Sequence, residues 1–251
     1  MADPLVTIEQ LTFHYADGPN FAFEKAAIYP GQVVVLVGAS GSGKSTLMRL
    51  LRGELDPTSG TVSIAGTPVE TRKKRLVLDE SKAGWVPQTE ELMPMLRVEQ
   101  NIGYHLLRWE EEERSARVEE LARAFHLLPL LKQRTSTLSG GQRQRVSIAK
   151  AMAGRPPVLL MDESLAQLDL RTKTAILLDL KDQVRREGSA ALLVLHDPAD
   201  AQLVADQVWV MHDGILAQQG TMAEILKFPI AYQVAGLFWH INLVPAHWAQ
   251  I

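Results

Sequence analysis

The chain is predicted to adopt an α/β fold built on a mostly parallel sheet, and three observations predict it. Short, nearly unbroken apolar runs at Gln32–Val37, Pro157–Met161 and Ala190–Leu195 read as strands buried on both faces. Amphipathic segments alternate with them, the clearest being Arg171 to Glu187 with Ile176, Leu177, Leu180 and Val184 on one face. A glycine-rich turn joins the first apolar run to Lys44–Arg52, a segment of good helix formers that Gly53 ends. Strands alternating with helices in this way make a layered α/β domain.

Taken in order, residues from Leu5 to about Pro30 read as strands around a turn at Asp17-Gly18-Pro19. Thr61 to Ala65 reads as a further strand. The basic run Arg72-Lys73-Lys74-Arg75 that follows reads as a solvated loop or helix end, with a contact to anionic lipid or a partner as the alternative. Gly84 to Pro87 is a short strand, and Thr89 to Thr137 a helical insert. Within the insert, Val98 to Leu107 is expected to form one helix. Glu110 to Leu128 forms another, with Val118, Leu121, Ala122, Phe125 and Leu128 at helical spacing. The acidic run Glu110 to Glu113 complements the dipole at that helix start. A helix from Gly140 to Ala153 comes next. Gly188 ends the helix Arg171 to Glu187, and Pro198 sits in the first turn of a later one. The strand Gln207 to Met211 leads into a turn at Asp213-Gly214.

Composition narrows the function classes. The 251 residues are 46% hydrophobic, enough for one or two domains with a proper core. A net charge of −3 gives no electrostatic case for nucleic-acid binding. There is no cysteine, hence no disulfide and no thiol chemistry, which fits a reducing compartment. The start, Met1-Ala2-Asp3-Pro4-Leu5, has neither the basic nor the apolar region of a signal peptide. No apolar run approaches the roughly 18 residues that a membrane span needs.

The chemistry begins at Gly38-Ala39-Ser40-Gly41-Ser42-Gly43-Lys44-Ser45-Thr46, which fits the phosphate-binding pattern G-x-x-x-x-G-K-[ST] at every fixed position. Glycines at 38, 41 and 43 let backbone amides curl around phosphate oxygens, and the helix N-terminus adds partial positive charge. Lys44 is expected to reach the β- and γ-phosphates, and the Ser45 hydroxyl to bind Mg²⁺. The plainer alternative is a strand-to-helix turn with a chance lysine. The strand before the loop and the helix after it favour the phosphate reading.

Several further motifs follow. Leu138-Ser139-Gly140-Gly141-Gln142 stands immediately before a helix, and Asp162-Glu163 ends an apolar strand. With Gln88 after a short strand, Ser164 to Asp169, and His196 after the strand Ala190–Leu195, they occur in the order of the ABC-type ATPases. The chain resembles that family from about Leu5 to about Pro245. The resemblance implies a P-loop NTPase fold of ABC type, with an N-terminal antiparallel β-subdomain and the helical insert at about 89–137, all in one ATP-binding domain over 1–251. It implies that Tyr15 stacks on adenine and that the loop 38–46 holds ATP. Asp162 holds Mg²⁺ through water, Glu163 is the general base, and His196 positions the γ-phosphate and the attacking water. Gln88 ligates Mg²⁺ or the water. Ser139, Gly140, Gly141 and Gln142 act on the γ-phosphate bound by the opposite subunit of a homodimer, or of a dimer with a close paralogue. The family has Pro where this chain has Ser164, which leaves that corner looser and free to hydrogen-bond locally.

The resemblance extends to context. Met211-His212-Asp213-Gly214, Gly220-Thr221-Met222-Ala223-Glu224-Ile225 and Phe228-Pro229 are similar to the tail of bacterial importer ATPases, here expected without their C-terminal regulatory domain. It implies an ATPase that energises import of a small solute at the cytoplasmic face of the inner membrane. Its partners are transmembrane permease subunits and, through them, a substrate-binding protein. The alternative is an ABC-type ATPase that drives a non-transport mechanical or signalling process at a membrane complex. Leu92, Met93, Met95 and Leu96 line the groove for the permease or pack the insert on the core, and the residues leave both readings open. The aromatic tail with Phe238, Trp239 and Trp248 folds back on its own core or meets a partner.

Overall fold

The strand β3 (Val33–Gly38) is buried on both faces, so its neighbours must be strands and its faces must be covered. It pairs in parallel with β8 (Ala190–Val194) on one side and with β9 (Gln207–His212) on the other. β7 (Val158–Asp162) adds in parallel to β8, and β6 (Ala83–Val86) to β7. The computed structural model describes residues 2–15, 20–70, 82–89, 91–195 and 197–238. Among them, β1 (Val6–His14), β2 (Asn20–Ile28), β4 (Ser59–Ile64), β5 (Thr67–Pro68) and β10 (Ile215–Gly220) complete one sheet in the order β5-β4-β1-β2-β10-β9-β3-β8-β7-β6. The N-terminal β1, β2, β4 and β5 pair antiparallel, as expected.

The period of two along a strand sorts side chains between two cores. Val34, Leu36, Leu160 and Leu192 join Leu47, Met48 and Leu51 of α1 (Lys44–Leu51) together with Ile8 and Phe23 of the antiparallel strands. Val33, Val35, Leu159 and Leu193 face the other way. There they meet α4 (Gly140–Met152), α5 (Leu170–Glu187), α6 (Pro198–Val204) and the insert. Each fully buried Leu or Val is worth about 1.5–3 kcal/mol, so the sheet centre dominates stability.

The insert departs from expectation in two places. Val98 to Leu107 is not one helix: α2 (Val98–Ile102) gives way to a 3₁₀ turn at Gly103–Leu106. Gly103 is a poor helix former, and a Cβ there would lie 3.3 Å from Val118 Cγ2. The next helix, α3 (Glu111–Ala124), stops before Leu128. His126 takes a positive φ of 57°, and Leu128 stands before Pro129 in a 3₁₀ turn, where α geometry is disfavoured. Val118, Leu121, Ala122 and Phe125 are buried as the spacing predicts, whereas Leu128 is exposed. Two short helices, α7 (Met222–Lys227) and α8 (Tyr232–Gly236), follow the sheet. Phe238 packs against the core, while Trp239 and Trp248 of the expected aromatic tail lie outside the described residues. The turn Asp17-Gly18-Pro19, the run Arg72–Arg75, His196 and residues 239–251 lie outside the described residues.

One buried cation ties the insert to the core. The Arg117 side chain on α3 is 1% exposed. Its guanidinium donates to two carbonyls at the end of α4, Met152 at 2.6 Å, which also accepts the Arg155 N–H, and Ala153 at 3.1 Å. It also pairs with Glu120 at 2.9 Å and with Glu187, the last residue of α5, at 2.7 Å. Three helices meet on one side chain. Arg117→Met leaves the Glu187 carboxylate without its cation, though Gln183 Nε2 still donates to it at 2.6 Å, and takes the side-chain donor from the Ala153 carbonyl. The expected loss is about 3–5 kcal/mol in urea unfolding. A midpoint within error of the parent would remove Arg117 from this role.

Candidate active site

The parallel strands deliver the sequence motifs to one edge. β3 ends at Gly38 and β7 at Asp162, and β8 leads to Leu195. Between Gly38 and Lys44 the chain turns from a buried strand into a helix. Gly43, the N-cap of α1, has φ of +100°. A Cβ there would lie 3.0 Å from Met211 Cε and 3.2 Å from Phe21 Cδ2, so both the φ and the crowding favour glycine. Lys44 is 5% exposed and donates to the carbonyls of Gly38 at 2.9 Å and Ala39 at 3.0 Å. Burial pulls its pKa below the usual lysine value, while the charges of Glu163 and Asp162 oppose that shift. Both carboxylates are therefore within electrostatic reach of the loop.

A cavity of about 420 Å³ gathers Tyr15, Ser40, Lys44, Ser45, Thr46 and Glu163. The Tyr15 hydroxyl bonds Thr46 Oγ1 at 2.9 Å, and its ring meets Phe13 edge-on at 4.7 Å. Tyr15 follows the end of β1 and shares the Phe13 side, as alternation predicts. Gly41 is open: a Cβ there would meet nothing within 4 Å. Ala39 is exposed, and Ser42 has a buried Oγ without a hydrogen-bond partner. The wall also includes Asn20, Phe21 and Gly214, which the motifs did not reveal. The Asp213-Gly214 turn was legible as a turn, but not its contact, a bond from Gly214 N–H to the Ser42 carbonyl at 3.1 Å.

Glu163 is unusual in its backbone, with φ of +45°. A non-glycine residue held there costs about 1–3 kcal/mol, and such strain gathers at functional sites. Its N–H bonds the Val194 carbonyl at 3.3 Å, fixing the corner to β8. Gln88, just past β6, directs Nε2 to Glu163 Oε2 at 3.5 Å. Ser164 Oγ is buried and makes no hydrogen bond, so the local bond that serine could offer is not formed. Asp169 caps α5, accepting the Thr172 N–H at 3.0 Å, and that bond holds its carboxyl below the usual range.

Ser139, Gly140, Gly141 and Gln142 sit apart from this cavity, at the N-terminus of α4. Ser139 is the N-cap, and with Gln142 it forms a capping box: Gln142 N–H to Ser139 Oγ at 3.3 Å, Ser139 N–H to Gln142 Oε1 at 2.9 Å. At Gly141 a Cβ would lie 2.6 Å from Thr172 Cγ2, so α4 and α5 approach closely here.

Beside Gln88 runs a groove of about 650 Å³, lined by Arg52, Trp85, His105, Arg108, Trp109 and Lys150 among others. The Arg52 guanidinium lies 4.1 Å over the Trp85 ring. Of the residues expected at such a groove, Leu92 packs against the core, Met95 is 67% exposed, and Leu96 lines a different cavity. The Met93 backbone is held by buried Asn101, whose Oδ1 accepts from its N–H at 2.9 Å and whose Nδ2 donates to its carbonyl at 3.1 Å.

A glycine loop from a central parallel strand, strand-end carboxylates beside it and mixed sheet edges define an α/β P-loop NTPase. Residues 25–166 match the family model described as ABC transporter, and the chain belongs to that family. It is 38% identical to the sn-glycerol-3-phosphate import ATP-binding protein UgpC 1 of Rhizobium johnstonii, over 92% of this chain and 62% of that protein. It is 33% identical to the putrescine transport ATP-binding protein PotG of Escherichia coli, over 96% of this chain and 63% of that protein. The chain thus spans less than two thirds of the length of these curated relatives. Among solved structures, cbiO1 from Clostridium perfringens, described as part of the ABC transporter complex cbiONQ, superposes with a TM-score of 0.82 at 30% identity. That match covers 90% of this chain and 91% of that one.

Gly43→Ala tests the loop geometry without reference to ligand. The strained φ alone costs about 1–3 kcal/mol. A lower thermal midpoint is expected, and an unchanged one would mean that the turn relaxes freely.

Proposed function

We propose that this chain is the ATP-hydrolysing subunit that energises an ABC transporter importing a small solute, and that two copies, or one copy and a close paralogue, close on two ATP molecules. One observation carries the reading. The cavity that unites Tyr15, Lys44, Ser45 and Glu163 omits Ser139 to Gln142, whose helix end needs a second subunit to meet a phosphate. The import and transport named for the relatives support the direction.

The roles follow from chemistry. The loop Gly38, Ala39, Ser40, Gly41, Ser42, Gly43 with Lys44, Ser45 and Thr46 holds the phosphates, and Tyr15 stacks on the base. Glu163 accepts the proton of the attacking water, with Gln88 beside it and His196 as a positioning group. Mg²⁺ fits the donors available: the Ser45 hydroxyl, the Asp162 carboxylate and the Gln88 amide are hard oxygen ligands. Among the described residues no cluster of three His, Cys, Asp or Glu could cage a metal alone, which suits an ion that keeps water and phosphate ligands. When bound, Mg²⁺ neutralises charge developing on the phosphates. Residues 1–251 act as one ATP-binding domain.

Among the described residues no helix is long and apolar enough to cross a membrane. The membrane path then belongs to permease subunits, with this chain peripheral on the cytoplasmic face and a substrate-binding protein reached through the permease. The basic and aromatic groove beside Gln88 is the surface proposed for the permease.

Glu163→Gln should keep ATP, accumulate the closed dimer and lose about 10²–10⁴ in turnover, measured by phosphate release and light scattering. Turnover at the parent rate would remove Glu163 as base. Ser139→Arg should bind ATP at parent affinity yet not hydrolyse it. Mixing it with a Lys44→Ala chain should restore one working site per dimer, and no recovery would count against the trans arrangement.

A further inference from the structure

Behind Glu163 lies a second, smaller cavity of about 170 Å³ that the family motifs do not explain. Its wall includes Glu163, Leu165, Lys173, Leu195, Asp197 and Asp200. Lys173 sits one turn into α5, its N–H bonded to the Asp169 carbonyl at 2.9 Å. Its ammonium lies 2.6 Å from Asp200 Oδ2 and 3.9 Å from Asp197 Oδ2. The pair is largely dry: the Lys173 side chain is 14% exposed and that of Asp200 5%.

Stability alone is a poor reason for this arrangement. A cation near a helix N-terminus opposes the macrodipole, so Lys173 is badly placed for α5 by itself. A buried ion pair is often no better than an apolar pair of equal volume. Its partners do sit well: Asp197 caps α6, accepting the Ala199 N–H at 2.9 Å, and Asp200 lies in the first turn. What the pair does achieve is directional. It locks the start of α5, which follows the loop 163–169, to the start of α6, which follows β8. Glu163 and Val194, which also line this cavity, are joined by the bond from Glu163 N–H to Val194 O at 3.3 Å.

We infer that Lys173 is a positioning residue that, through Asp200 and Asp197, holds the two segments flanking Glu163 at a fixed separation, so that the carboxylate stays aimed at the water it deprotonates. The inference rests on Glu163 acting as the base of an ATPase. It concerns a contact outside the phosphate loop, so nucleotide affinity is left to Lys44 and its neighbours while turnover depends on the clamp.

The test uses the full chain with Mg-ATP and three variants. Lys173→Met should lower kcat by about tenfold to 10²-fold, the scale of a misplacement near 1 Å, with KM for ATP within about twofold. Lys173→Arg should recover most of that loss. Lys173→Met/Asp200→Asn removes the stranded buried carboxylate, so it should fold like the parent and keep the kcat defect. Amide hydrogen exchange should rise at residues 163–169 in both Met variants and stay at the parent level in α1. A Met variant with parent kcat overturns the clamp. So does a double variant whose kcat recovers as its stability recovers, since the defect was then one of folding. A parent chain that hydrolyses no ATP overturns the ATPase reading itself, and the inference with it.

Discussion

The structure depends on what happens at the end of β3. A strand buried on both faces must become a helix within five residues, between Gly38 and Lys44. Its neighbours β8 and β9 cannot yield, because their alternate residues fill both cores. The turn is consequently shaped from several sides. Lys44 bonds two carbonyls of its own loop, and Gly214 bonds a third from the β9–β10 turn. Gly43 is pressed between Met211 and Phe21. A phosphate would meet a loop whose form is already set, so little ordering entropy is lost on binding.

Topology explains why distant motifs converge. β3, β8, β7 and β6 are parallel and adjacent, so their C-terminal ends share one edge. Gly38, Leu195, Asp162 and the approach to Gln88 all emerge there. Ligands of open α/β sheets bind at that edge. A carboxylate more than a hundred positions from the lysine it influences needs no other device than strand order.

Much of this was legible in the chain and some was not, for physical reasons. β3, β7 and β8 announced themselves because doubly buried strands must be apolar throughout. The glycine loop and the Gly188 end of α5 were legible because few residues adopt φ near +64°. The break in the insert helix was missed because Gly103 costs only about 1 kcal/mol locally, too little to mark a helix end by itself. Arg117, Asn101 and Lys173 looked like ordinary helix residues. Their roles lie in partners 20 to 70 positions away or around a turn of backbone, and no local pattern encodes those. Glu163 carried a motif, but its positive φ and its bond to β8 are invisible in residue type.

The capping box at Ser139 does not by itself exhaust the hydrogen-bonding capacity of the hydroxyl. A hydroxyl has one donor and two acceptor positions. Accepting the Gln142 N–H uses an acceptor position and leaves the proton free. Capping α4 is therefore compatible with donating to an anion, and the cap orients the hydroxyl at the helix start, where the dipole favours that anion. The close approach of Gly141 to Thr172 adds a mechanical consequence. Thr172 belongs to the first turn of α5, beside Asp169 and Lys173. The end of α4 that would face the partner's phosphate is thus packed on the helix that begins just after this subunit's own Glu163 loop. The contact between these two helix ends is too tight for a methyl group at Gly141, so the start of α4 and the start of α5 are held together.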